Sequence, residues 1–141
     1  MGPVRILIVD DFESWRRTIR SILVDDSDLE VIGESSDGLD AVRKSEELRP
    51  DLVLLDIQLP GVNGFVAAQR IAKISPGTKI LFVTSYRCLE FMQEALGIGA
   101  GLVVKAEAGQ DLLPAIRAII QNEPFLRFKI LDENSSNSDD M

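Results

Sequence analysis

Apolar residues fall along this chain in two alternating rhythms: short continuous runs, and longer stretches in which they recur every three or four positions. The runs RILIVDD (5–11), LVLLD (52–56), KILFVTS (79–85) and LVVK (102–105) are short and largely rich in β-branched residues, which predicts strands buried on both faces. LEVIGESS (29–36) reads as a further strand. Between them lie helical patterns. Residues 12–24 carry Phe12, Trp15, Ile19, Ile22 and Leu23 as an apolar stripe, with Glu13, Arg16, Arg17 and Arg20 largely on the other side.

The second helix begins at Asp37-Gly38, uses Leu39, Ala41, Val42 and Leu48 as apolar positions, and runs to Arg49, where Pro50 stops it. Pro60-Gly61 and Asn63-Gly64 lead into a third helix over 65–74, and Pro76-Gly77 ends that unit. A weaker helix over 89–96 is closed by the glycines at 97, 99 and 101. A fifth covers 110–120, with Leu112, Leu113, Ile116, Ile119 and Ile120 as its buried face and Pro114 near its first turn. Strands alternating strictly with helices predict five βα units, hence an α/β doubly wound parallel sheet covered on both faces.

One domain over 1–121 accounts for this pattern, leaving 122–141 as a C-terminal extension. Residues 132–141 are Asp, Glu, Asn and Ser up to a final Met141, without apolar periodicity, and are expected to be disordered. The preceding PFLRFKI either docks on the fifth helix or starts a linker. With 45% apolar residues in 141, the domain can build a full core without a structural metal or disulfide. A lone Cys88 and the absence of His exclude an intrachain disulfide and a Cys/His zinc site, and fit a reducing cytoplasm. The net charge of −8 argues against direct nucleic-acid contact. No apolar run reaches the length of a membrane span, and the start has no signal-segment pattern.

The candidate chemistry sits at the strand ends. Asp56 closes the third strand, and in open α/β sheets the crevice beyond the carboxyl ends is where ligands bind. Asp10 and Asp11 close the first strand. Three carboxylates converging on one edge repel unless a hard cation offsets them, which implies Mg²⁺. Thr84 ends the fourth strand and Lys105 the fifth, so four strands of five end in a group suited to phosphoryl chemistry: a metal, an ammonium and a hydroxyl for the oxygens, and Asp56 as nucleophile.

These marks in register, IVDD, LLDIQLPGVNG, FVTS, the GA before the fifth strand and LVVKA, make residues 4–121 resemble the receiver domain of bacterial two-component response regulators. The resemblance implies the flavodoxin-like receiver fold, strand order 2-1-3-4-5 with five helices. It also implies phosphotransfer from the phosphohistidine of a histidine kinase or histidine phosphotransfer protein to Asp56. In that mapping Asp10, Asp11 and Asp56 bind Mg²⁺ together with the backbone carbonyl of Gln58. Lys105 pairs with the acceptor and holds a phosphoryl oxygen, and Thr84 moves to bond the new phosphate. A homodimer is a candidate active form.

Two positions depart from the family pattern. Leu102 stands where receivers commonly carry a switching aromatic, and Ala106 where many carry Pro. Gln58 and Tyr86 occupy positions that influence phosphate lifetime in the family. The stretch GLVVKAEAGQDLLPAIRAII resembles receivers usually fused to a helix-turn-helix DNA-binding domain, so the chain is either a stand-alone receiver or part of a longer regulator. The competing readings are three. A flavin- or nucleotide-binding domain would want a Gly- or Ser/Thr-rich loop where Asp10, Asp11 and Phe12 stand. A Mg²⁺-dependent aspartyl phosphohydrolase would want an Asp-x-Asp, and here the acids are adjacent. A receiver-fold interaction module without phosphotransfer would need no intact acceptor, acid pair, hydroxyl and Lys.

Overall fold

Every predicted strand and helix forms. The computed structural model describes residues 2–86, 88–98 and 100–125. In chain order these give β1 (Val4–Val9), α1 (Glu13–Leu23), β2 (Leu29–Ser35), α2 (Gly38–Leu48), β3 (Leu52–Leu55) and α3 (Gly64–Ile74). There follow β4 (Lys79–Thr84), α4 (Leu89–Ile98), β5 (Gly101–Val104), a single 3₁₀ turn (Lys105–Glu107) and α5 (Ala108–Ile120). The five strands are all parallel, in the order β2-β1-β3-β4-β5.

The strand pleat sorts the core into two halves. Ile6, Ile8, Leu52, Leu54, Leu81, Val83 and Val103 point to the face covered by α1 and α5. Leu7, Val9, Val53, Leu55, Phe82, Leu102 and Val104 point to the face covered by α2, α3 and α4. All four residues of β3 are buried, as a central strand requires. Each fully buried Leu or Ile contributes about 1.5–3 kcal/mol relative to exposure, so the two half-cores hold the strand ends in fixed relation.

Local signals account for the helix ends. The Asp37 side chain accepts the N–H of Asp40 at 2.7 Å and the Asn63 side chain that of Val66 at 3.0 Å, both acting as N-caps. At the far end of α2, Arg49 adopts a left-handed conformation (φ 48°) before Pro50.

Several boundaries and faces differ from the sequence reading. Helix α5 starts at Ala108 rather than 110, because the 3₁₀ turn at Lys105–Glu107 feeds straight into it and Ala108 is buried in the α1/α5 half-core. Pro114 therefore lies in the second turn, where it cannot supply the N–H that would pair with the Gln110 carbonyl. Phe12, read as the start of the core stripe, is the N-cap residue of α1 and is 62% exposed. Leu39 and Leu96 are also exposed, each at the solvent edge of its helix. Gly97 lies inside α4 rather than ending it.

The start of PFLRFKI docks: Phe125 packs against the α1/α5 half-core and its carbonyl accepts the Leu102 N–H at 3.0 Å. The rest of that segment, and the expectation of disorder for 132–141, lie outside the described residues. Among the described residues no helix is long and apolar enough to cross a membrane.

Candidate functional site

The parallel register brings the functional side chains together. Val9 pairs with Leu55, which sets Asp10 level with Asp56 one residue beyond each strand. The Asp56 N–H donates to the Val9 carbonyl at 3.0 Å, and the Asp10 N–H to the Ser35 carbonyl at 3.0 Å, so both backbones are held by ladder bonds past the formal strand ends. On the other side Thr84 pairs with Val104, the residue before Lys105. One carboxylate oxygen from each of Asp10, Asp11 and Asp56 lies within 4.8 Å of the others.

Lys105 reaches into this cluster. Its Nζ is 2.5 Å from Asp10 Oδ2 and 3.2 Å from Asp56 Oδ2, and its side chain is only 12% exposed. The Asp56 Oδ1 accepts the Gln58 N–H at 3.3 Å, and the Asp10 Oδ1 accepts the Phe12 N–H at 2.9 Å. Thr84 is fully buried, and its Oγ1 accepts the Tyr86 N–H at 3.3 Å. Leu102 is buried in the α2/α3/α4 half-core beside Phe82, its register partner. Gln58 is exposed, as is Tyr86.

Asp56 is more covered than a strand-end carboxylate need be, at 6% exposure, and Asp10 is at 1%. The cover comes from Lys105 and from the loop after β3, which folds back so tightly that the Gly64 N–H donates to the Ile57 carbonyl at 2.7 Å. Gly64 is required there: a Cβ would stand 2.2 Å from the Asp56 carbonyl oxygen and 2.7 Å from Ile57 Cα. Asp11 is exposed and forms the open side of the cluster. Burial pushes the Asp56 carboxyl up to about 6; the Lys105 charge opposes the rise and the Asp10 charge adds to it.

The acid cluster fits a hard cation. Asp10 Oδ2 is buried and lies 2.5 Å from the Lys105 ammonium, the one charge that meets it among the described contacts. Three adjacent carboxylates, with Asp11 exposed, are a donor set of the kind a hard cation such as Mg²⁺ takes.

Two contributors escaped the sequence reading. Arg16, assigned to the solvent side of α1, donates from Nη1 to the Asp10 carbonyl at 2.6 Å and from Nε to Glu34 Oε1 at 2.9 Å. Arg20 also pairs with Glu34. Trp15, assigned to core, lies with its ring centroid 5.3 Å from Lys105 Nζ. The available signal was position: both residues sit in the first turn of the helix that follows the acidic strand end.

Comparison with known proteins agrees with this geometry. The family model for the response regulator receiver domain matches residues 6–117. The response regulator protein VraR of Staphylococcus saprophyticus is 35% identical over 130 residues, 92% of this chain and 62% of the relative. The transcriptional regulatory protein LiaR of Bacillus subtilis is 34% identical over 128 residues, 90% of this chain and 61% of LiaR. The chain thus spans about 62% of the length of the relatives it matches.

Among solved structures, a LuxR-family two-component response regulator from Aurantimonas superposes with a TM-score of 0.85 at 27% identity, covering 99% of this chain and 100% of that one. The response regulator domain of Thermotoga maritima CheB gives 0.78 at 30% identity, covering 86% and 99%. With the sheet order, the strand-end acids and the Lys105 contact already in place, these matches establish that the chain belongs to the response regulator receiver domain family.

Proposed function

We propose that Asp56 accepts a phosphoryl group from the phosphohistidine of a histidine kinase or histidine phosphotransfer protein, in a Mg²⁺-dependent reaction that switches the domain's conformation. The observation that carries this reading is the contact of Lys105 with both Asp10 and Asp56 in a cluster that Asp11 completes on its open side. Asp10, Asp11, Asp56 and the Gln58 backbone carbonyl would hold the ion, which supplies charge neutralisation for an anionic phosphoryl group.

The chain's own residues do the rest. An Asp56 carboxylate oxygen forms the bond to phosphorus while the phosphorus–nitrogen bond to the donor imidazole breaks, its electron pair leaving with the ring. Lys105 turns from Asp10 toward a phosphoryl oxygen. The added charge of about −1.5 to −2 draws the Thr84 hydroxyl, which gives up the Tyr86 N–H and moves the loop after β4. Leu102 cannot provide an aromatic rotation, so the Thr84 loop and α4 carry the change. A ligand shifts a two-state equilibrium only through differential affinity, so these contacts must be better in the active form.

The test is incubation with Mg²⁺ and acetyl phosphate, followed by intact mass and oligomeric state, beside Asp56→Asn. One phosphoryl group, stable in acid and labile in base, is expected on the parent alone. Modification of both proteins, or of neither, would leave the interaction-module reading in its place. Multiple turnover of a small phosphate ester would favour the phosphohydrolase.

A further inference from the structure

Among the described residues the Lys105 ammonium contacts Asp10, Asp56 and Trp15, and the first two are carboxylates that the phosphotransfer reading hands over to a cation. The third is the indole face of Trp15, 5.3 Å from Nζ to the ring centroid. Trp15 is fixed from behind: it is half-buried, packs against the α1/α5 half-core, and its backbone N–H donates to the Phe12 carbonyl at 3.1 Å at the start of α1. Its indole nitrogen is buried without a hydrogen-bond partner, so the side chain is held by packing and by the ammonium rather than by its polar end.

A lysine side chain is a flexible stem, and an ammonium released from Asp10 and Asp56 has many rotamers open to it. An acidic support for it would compete for the divalent ion and would pull the charge away from the phosphoryl oxygen. An aromatic face does neither, because it attracts a cation through its quadrupole and offers no ligand atom. We infer that Trp15 is a positioning residue that keeps the Lys105 ammonium at the acceptor while the carboxylates exchange it for a cation. This rests on the phosphoacceptor reading and adds to it a residue outside the family marks set out above.

The test uses the full chain with three variants, Trp15→Leu, Trp15→Phe and Lys105→Met, together with the double variant Trp15→Leu/Lys105→Met. Phosphorylation by acetyl phosphate should slow roughly fivefold in Trp15→Leu, the scale of one partly desolvated cation–π contact, while Trp15→Phe stays within about twofold of the parent. In the Lys105→Met background the Leu substitution should add nothing, whereas a purely structural role would persist there.

A second readout does not depend on turnover. The chain has a single Trp, so a Mg²⁺ titration followed by its emission reports this contact directly. The response should shrink at least twofold in Lys105→Met. Circular dichroism and urea midpoints check that each variant folds. Equal rates for Trp15→Leu and a phosphorylatable parent, or additive losses in the double variant, would overturn the inference. A parent that takes no phosphate would overturn the phosphoacceptor reading, leaving the emission titration to decide on Trp15.

Discussion

Replacing Asp56 by Asn should make the protein more stable at neutral pH, although it removes a partner of Lys105. In the folded state the carboxyl is pushed from 3.8 up to about 6 by burial, with Lys105 only partly opposing. At about 1.4 kcal/mol per tenfold in acidity, the ionised form is roughly 3 kcal/mol less favourable in the fold than in the unfolded chain. The direction follows from proton linkage. Below 3.8 the group is neutral in both states and adds no difference; the penalty grows as pH rises toward 6 and is complete above it.

Asn keeps a polar group in the same place and leaves Lys105 with Asp10 alone, so the net gain at pH 7.5 should be about 2 kcal/mol, or roughly 6 °C in Tm for a chain of this size. By pH 5 the gain should fall to about half, and near pH 4 it should almost vanish. Urea unfolding followed by far-ultraviolet circular dichroism at three pH values measures it. Saturating Mg²⁺ should stabilise the parent more than the variant, narrowing the difference. A gain that is independent of pH, or a loss at pH 7.5, would refute the claim that Asp56 is held ionised against its surroundings.

Other substitutions probe the supports of the site. Gly64→Ala should destabilise the fold by about 2–3 kcal/mol, since the new methyl meets backbone rather than a side chain that can swing away; a urea midpoint within error of the parent would contradict this. Arg16→Ala should lower stability by about 1.5 kcal/mol by leaving the Asp10 carbonyl without its charged donor and Glu34 with Arg20 alone. It should also weaken Mg²⁺ binding several-fold by calorimetry. Thr84→Ala should still take phosphate on Asp56 by mass, yet lose the change in hydrogen exchange over 84–98 that the parent shows on phosphorylation.

Most of the sheet was legible because β1, β3, β4 and β5 are buried on both faces, so continuous runs such as Val53-Leu54-Leu55 needed no partner to be recognised. The acids, Thr84 and Lys105 were legible because each ends a strand, and parallel register carries strand ends to one edge. Helix faces were read less well. Phe12 and Leu39 fit an apolar stripe, but α1 and α2 begin just as the chain leaves the sheet, where a side chain can overhang the core without entering it. Arg16 was misplaced for the opposite reason: at the edge of the apolar stripe, about 20° of helical phase beyond Leu23, it reaches the Asp10 carbonyl, and a charge there is paired rather than solvated. The start of α5 depended on the 3₁₀ turn after Lys105, whose residues carry no distinctive helix-start signal.

The 2.5 Å contact between Lys105 and Asp10 means that the resting pocket supplies its own counterion. On the proposed metal site, an incoming divalent ion would meet a competitor tethered to β5, and its apparent affinity would reflect an exchange of partners rather than entry into a bare cluster of negative charge. Because the tethered cation is covalently part of the chain, the domain can keep these acids side by side through folding without a metal, and on the proposed phosphoacceptor role it would be ready for phosphate as soon as the exchange took place.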